Sequence, residues 1–294
     1  MKERTAYLVV GGDSLVGGGL LQALERRGQT AYASTRRRET VDDRRVFLDF
    51  ESDTPYIAPR DVGYAYIVAA ATNYDRCETD PLAHKINVEL TPNLIASLLE
   101  QGVFVTFIST NSVFGGERPW PHEDDPHAPG IAYARQKHDA ENVVLEKARQ
   151  LGAEQRLNIV RLTKILDRNT SPLPAWYSAW QRGESIQPFA DLIFAPMSVQ
   201  FVGKALATIG EKRVSGNLHL SGAENVSYVA FANALAAKVG IGADLIAPST
   251  ATEKGIHIAF KPTYSGLGMR RTTALTGVRP QALSEVVSDL LSTT

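Results

Sequence analysis

A single cysteine, Cys77, stands in a chain of 294 residues, so no internal disulfide can form. That scarcity excludes the disulfide-built secreted scaffolds and fits a reducing compartment. No cysteine-protease signature surrounds Cys77, which reads as a small packed residue. Net charge is nearly absent as well. Its 31 basic and 32 acidic side chains leave −1, which gives no bulk attraction for nucleic acid or an anionic membrane. The basic clusters at 36–38 and 44–45 are local. No apolar run approaches the roughly 20 residues of a spanning helix. Glu3 beside a short apolar stretch makes a poor signal peptide, so a cytoplasmic chain is expected. Internal repeats and low-complexity segments are also missing.

What is present is enough apolar residue, 44%, for a sizeable core in one large domain or two unequal ones. Short apolar runs alternate with helical patterns through the first half, the signature of a parallel sheet covered on both faces. Strands are expected at Ala6–Val10, 31–34, 45–49, 64–71, 104–109 and 158–162. Helices are expected at 15–27, stopped by Gly28, at 81–100 and at Ala132–Gln150. Right-handed crossovers then make a doubly wound Rossmann-type α/β fold the natural outcome. Beyond Leu162 the pattern loosens, broken by Pro172, Pro174, Pro188 and Pro196. A late strand at 217–220, a helix at 228–240 capped by Ser227, and a last helix at Leu283–Leu291 follow. We therefore expect a Rossmann domain over 1–162. Residues 163–294 should form mainly a smaller substrate-binding lobe, with segments returning to the first domain.

Strand one runs into Gly11-Gly12-Asp13-Ser14-Leu15-Val16-Gly17. A tight glycine turn at a helix start lets backbone amides approach a pyrophosphate, where the helix dipole favours negative charge. Ser14 replaces the middle glycine of a Gly-x-x-Gly-x-x-Gly spacing, and its hydroxyl could donate to phosphate. At the end of the second strand an acid would bind an adenosine ribose, while an arginine would accommodate a 2′-phosphate. The chain has Ser34-Thr35-Arg36-Arg37-Arg38 there, which favours NADP(H) over NAD(H), with Arg36 the main candidate and Arg38 read as solvated. Asp49 follows the third strand, where it could meet an adenine or simply end the strand.

The densest chemistry lies between Val103 and Lys137. A buried-type strand ends in Ser109-Thr110-Asn111-Ser112-Val113, and Tyr133-Ala-Arg-Gln-Lys137 follows. Reducing a ketone needs a hydride on carbon and a proton on oxygen. A free tyrosine, with a pKa of about 10, is a sluggish acid at neutral pH. Lys137 lies one helical turn beyond Tyr133 on the same face, so its ammonium, with an oxidised nicotinamide, would pull the phenol toward the working range.

The run from Ile108 to Gly116, then Glu123-Asp124, Pro129 and Tyr133-x-x-x-Lys137, resembles the extended short-chain dehydrogenase/reductases, and within them the dTDP-4-dehydrorhamnose reductase branch. So do 69–81, Lys85-Ile86-Asn87-Val88, His219-Leu-Ser-Gly222 and Ser227-Tyr228. The resemblance spans nearly the whole chain. It implies Thr110, Tyr133 and Lys137 as the catalytic set. Cofactor contacts would come from Gly11, Asp13, Ser14, Leu15, Val16, Gly17, Arg36, Arg37, Asp49, Phe50, Ala69, Ala70, Ala71 and Asn87, together with Tyr133 and Lys137. Substrate contacts would come from Thr72, Thr110, Asn111, Ser112, Val113, Trp120, Tyr133 and Lys164, and no metal is involved. Asn87 would anchor a water-mediated proton relay or pin its helix to a strand.

The resemblance further implies a nucleotide-sugar substrate reduced at a keto group, and a homodimer. Arg182, Lys261 and Arg270 are candidate partners of the substrate diphosphate. Two departures bear on the substrate. Asn111-Ser112 stands where the family has Asp-Tyr, and Leu162-Thr163-Lys164 where it has an aromatic-rich Thr-Ser-Trp segment. Lys164 could reach an anionic group instead, and Trp120 or Trp176 could supply a stacking face, though Trp176 reads first as core. Two other readings stand beside a reductase. One is a non-catalytic NADP-binding subunit like the beta subunit of methionine adenosyltransferase, and the other is a nucleotide-sugar epimerase holding NAD.

Overall fold

A computed structural model describes residues 4–50 and 56–292. Seven parallel strands form one sheet. In chain order these are β1 (Ala6–Val10), β2 (Ala31–Thr35), β3 (Arg45–Phe47), β4 (Val62–Ile67), β5 (Phe104–Thr110), β6 (Leu157–Leu162) and, much later, β10 (Gly216–Leu220). Their spatial order is β10-β6-β5-β4-β1-β2-β3. The chain winds outward from β1 to β3, then restarts at β4 on the other side of β1. Ligand crevices in open α/β sheets form at such a reversal, outside the carboxyl ends of the strands. Every residue of β1, β4 and β6 is buried, as expected of strands covered on both faces.

The helix α1 (Leu15–Arg26) starts at Ser14, whose hydroxyl accepts from the Gly17 amide. It packs against α7 (Val199–Lys212), a helix that the proline-broken reading of the second half did not anticipate. Backbones meet where they cross: a Cβ on Gly203 would lie 2.4 Å from the Gly19 carbonyl oxygen. A Cβ on Gly19 would lie 2.5 Å from Val199 Cγ2, which explains the third consecutive glycine in 17–19. Next to it, Tyr66 donates to the Leu206 carbonyl at 3.1 Å, tying α7 to the sheet.

The helical stretch expected at 81–100 is three pieces. After the short α2 (Tyr74–Thr79) come α3 (Pro81–His84), a π-helical turn Lys85–Leu90, and α4 (Thr91–Glu100). Pro92 has no N–H to donate to the carbonyl four residues back, and widening of the preceding turn is the local response. The long α5 (Ala132–Gln150) forms as expected. Likewise β4 stops at Ile67, not at 71, because Val68 and Ala69 both turn their amides to the Val10 carbonyl, at 2.9 and 3.0 Å.

The remaining elements build on the carboxyl end of the sheet. They are β7 (Lys164–Leu166) paired with β9 (Pro196–Ser198), β8 (Ile193–Phe194) paired with β11 (Val226–Ser227), and the helices α6 (Leu173–Gln181), α8 (Tyr228–Val239), α9 (Arg270–Thr276) and α10 (Leu283–Leu291). Their own core gathers Leu166, Trp176, Trp180, Phe194, Phe231 and Leu290. Trp176 is therefore packed, as first read. Among the described residues no helix is long and apolar enough to cross a membrane.

Candidate active site

At the sheet's reversal Gly11 adopts φ +94°, and a Cβ there would lie 2.7 Å from the Ala69 nitrogen. A Cβ on Gly17 would lie 2.2 Å from the Gly11 carbonyl oxygen. These two positions admit only glycine, and they hold the turn flat against the next strand. Ser14 has a different task from the phosphate donor first expected. Its hydroxyl donates to the Gly11 carbonyl at 2.7 Å and accepts from Gly17, so it closes the turn itself. The amides of Leu15 and Val16, in the first turn of α1, have no intrahelical carbonyl to bond.

Asp13 gathers the end of β2. It accepts from the Thr35 hydroxyl at 2.9 Å and pairs with Arg45 at 2.7 Å and Arg37 at 3.1 Å. Partial burial works against its charge, but the Thr35, Arg45 and Arg37 bonds prevail and hold the carboxyl below its usual range. Arg36 is exposed and makes no such pair among the described residues. Arg38 lies 3.8 Å over the Phe47 ring. Asp49 and Phe50, just past β3, are half-buried, Phe50 against the main core.

From there a cleft of about 800 Å³ opens along the carboxyl ends of β1, β4, β5 and β6. It is lined by Leu15, Val16, Ala70, Thr72, Ser109, Thr110, Asn111, Tyr133, Lys137 and Lys164, among others. The three proposed catalytic residues thus share one wall with the start of α1. Tyr133 is half-buried, with its ring 5.5 Å from that of Tyr74. Burial, then the nearby Tyr74 and Cys77, push its hydroxyl above the ordinary phenol range. Lys137 is 3% exposed, donates to the Ile108 carbonyl at 2.7 Å and lies 3.9 Å over the Phe107 ring. Burial pulls its pKa down to about 7. The lowering expected from the spacing draws on an oxidised nicotinamide as well as on Lys137, and the protein's own groups leave Tyr133 raised. For Lys137 desolvation outweighs the nearby Glu141 charge, whereas for Tyr133 desolvation and its neighbours act in the same direction.

Asn87, in the π turn, clamps Ala71 from both sides. Its Oδ1 accepts from the Ala71 amide and its Nδ2 donates to the Ala71 carbonyl, both at 2.9 Å. A third bond, to Gln136 at 2.9 Å, joins the clamp to α5. Of the two roles first weighed, the geometry describes the pin. Cys77 is buried beside it, and burial raises its thiol, so it packs as expected.

Several expected contacts lie elsewhere. Ser112 and Val113 are buried behind the cleft wall, with Ser112 Oγ 3.1 Å from Thr110 Oγ1. Asn111 reaches the wall, but its amide donates to the Ser265 carbonyl at 2.8 Å and latches β5 to that loop. Trp120 lies off the lining, because φ +52° turns its ring onto the backbone of Gly266. Arg182 pairs with Glu184 and Lys261 with Asp191, each at 2.6 Å, and Arg270 is exposed; none of the three lines the cleft. Tyr74, Tyr228, Phe194 and Phe260 do line it and were missed. Tyr74 follows Thr72-Asn73 in the resembling stretch and could have been found by position. The others arrive from the second half by tertiary packing.

A buried ionic cluster stands behind β5. Arg161 of β6 grips Glu141 of α5 through Nε and Nη2, at 2.7 Å for Nη2, and Ser109 Oγ donates to the same carboxylate. Arg161 also donates to the Glu123 carbonyl at 2.9 Å and lies 3.2 Å from His219 Nε2. His219 Nδ1 lies 2.9 Å from the Gly268 carbonyl, which makes it the protonated nitrogen and leaves Nε2 to accept from Arg161. Burial, then the Arg161 charge, lower His219 to about 3, and burial lowers His127 to about 4. Both histidines are neutral in the fold and take up protons only on unfolding. The unfolded chain binds more protons between about pH 6.5 and 4. Urea midpoints should therefore fall as pH drops through that window, and His127→Asn should flatten the slope.

A family model described as RmlD substrate binding domain matches residues 5–294. The chain is 27% identical over 175 residues to a dTDP-4-dehydrorhamnose reductase of Sinorhizobium fredii, covering 56% of this chain and 57% of that one. It is 28% identical over 200 residues to methionine adenosyltransferase 2 subunit beta of Pongo abelii, covering 62% and 56%. The matches thus span little more than half the length of these relatives. Among solved structures, the dTDP-4-dehydrorhamnose reductase of Bacillus anthracis in complex with NADP superposes with a TM-score of 0.80 at 19% identity. That superposition covers 99% of this chain and 98% of that one, and at this identity it speaks for the fold alone. By the match over nearly its whole length, the chain belongs to the RmlD substrate binding domain family, within the extended short-chain dehydrogenase/reductases.

Proposed function

We propose that the chain is an NADP(H)-dependent reductase of a keto group on a nucleotide-activated deoxysugar. One observation carries the reading: the first turn of α1, Thr110, Tyr133 and Lys137 open onto a single cleft. The residues present fit a dinucleotide. Gly11 and Gly17 have no space for a Cβ and so keep the turn tight, which leaves the Leu15 and Val16 amides available to phosphate. Arg36 and Arg37 flank the place where a 2′-phosphate would meet the end of β2. Bound NADPH would supply the hydride. Thr110 would hold the carbonyl oxygen and Tyr133 would give it a proton. Lys137, when charged, would favour the phenolate left behind.

Steady NADPH oxidation with nucleotide-linked 4-keto sugars tests this reading. Stoichiometric NADP binding with no turnover on such a panel would overturn it in favour of a binding subunit. Tightly held NAD in the purified protein would favour an epimerase. Replacing Arg36 and Arg37 together by alanine should raise the KM for NADPH by about 10- to 100-fold, the worth of one or two charge-assisted bonds, and leave that for NADH unchanged.

A further inference from the structure

Lys164 is an exposed cation on the cleft lining that pairs with no carboxylate among the described residues. Lys164 opens β7 two residues after Leu162, and Leu162 is the register partner of Thr110 in the adjacent strand. Paired strands stand about 4.8 Å apart and successive Cα atoms about 3.8 Å. The Lys164 backbone is thus on the order of 10 Å from Thr110, and both residues line the same cleft.

The other lysine on the wall, Lys137, is held by the Ile108 carbonyl. Asp75 and His257 also line the cleft, but no carboxylate pairs with Lys164 among the described residues. Much of the cleft lining is apolar or aromatic, including Ile165 next in the chain, Phe194, Tyr228 and Phe260. Desolvation lowers the Lys164 ammonium, and no opposing charge is there to raise it. Its side chain stays exposed to the open cleft, so an incoming anion can reach the ammonium and offset that desolvation. Lys261 and Arg182, by contrast, already have their carboxylates outside the cleft.

We infer that Lys164 binds an anionic oxygen group of the substrate, a carboxylate or a phosphate, carried close to the carbonyl that Thr110 and Tyr133 receive. This rests on the cleft being the site of carbonyl reduction, yet binding can be measured without turnover.

Glucose 1-phosphate carries only the phosphate and glucuronate only the carboxylate. Calorimetric titration of each into the wild type, Lys164→Met and Lys261→Met provides the test. At least one ligand should bind the wild type saturably, about 10- to 100-fold more weakly to Lys164→Met, and unchanged to Lys261→Met. A loss confined to glucose 1-phosphate assigns the phosphate, and one confined to glucuronate assigns the carboxylate. Lys164→Arg should keep the binding, so that a folding defect cannot pass for support. Equal affinity in the wild type and Lys164→Met, or no saturable binding of either ligand, overturns the inference. Neither ketone nor NADPH enters the titration, so a failed reduction assay and a failed titration remain separate results.

Discussion

Tyr133→Phe should cut NADPH-dependent ketone reduction by about 10³-fold, within the range that one positioned proton donor contributes. Cofactor affinity should stay within about twofold, because phenylalanine keeps the ring against Tyr74 and loses only the hydroxyl. Burial keeps the wild-type Tyr133 hydroxyl protonated at neutral pH, which is the form a reduction consumes. Lys137, lowered to about 7, is charged below that pH and neutral above it. Its help to the departing proton therefore fades as pH rises through 7, and the wild-type rate should decline on that side. Steady-state kinetics against pH, with a fluorescence titration of NADPH, reads both effects. A Phe variant within threefold of wild type would remove Tyr133 from the mechanism.

Glu141→Ala should be the most damaging substitution for stability. It strands Arg161, 2% exposed, with no carboxylate, and removes the acceptor of the Ser109 hydroxyl. Breaking one side of a buried pair costs about 3–5 kcal/mol, against a total of about 5–15 for a typical domain. Replacing both partners with apolar groups of similar size, as in Glu141→Leu with Arg161→Met, should recover most of that loss. Urea unfolding of the single and double variants measures the difference. A single variant less than about 1 kcal/mol below wild type would mean that water reaches Arg161. Because Ser109 sits beside Thr110, activity should fall in the single variant even where it folds.

The same cluster marks the limit of what the residues alone reveal. The continuous apolar runs of β1 and β4 and the capped start of α1 can be read directly, because each depends on its near neighbours. The hydroxyl-ended β5 and the Tyr133–Lys137 spacing are equally local, and they meet in the cleft. Pairings made across the fold are not legible that way. Arg161 and Glu141 look like ordinary charges in sequence, and their meeting depends on β6 lying beside β5. Trp120 looked like a sugar platform until the backbone turned it onto Gly266. Lys261 looked available until Asp191, 70 residues earlier, claimed it. The helix α7 was readable in principle. Ser198 caps it, and Val202, Ala205, Leu206 and Ile209 recur at helical spacing on its buried side. Pro196, two residues ahead of that cap, masked the start.

The late arrival of α7 and β10 has a consequence for synthesis. The Gly19–Gly203 crossing joins opposite halves of the chain, and β10 pairs with β6 only after every element from β7 to α7 has been made. A nascent chain halted near residue 162 would carry β6 as an open sheet edge, and the side of α1 at Gly19 that α7 covers would lie bare. The seven-stranded sheet therefore cannot finish folding on the ribosome until about 60 further residues have emerged. Until then the growing polypeptide exposes a sticky edge that a chaperone would have reason to hold.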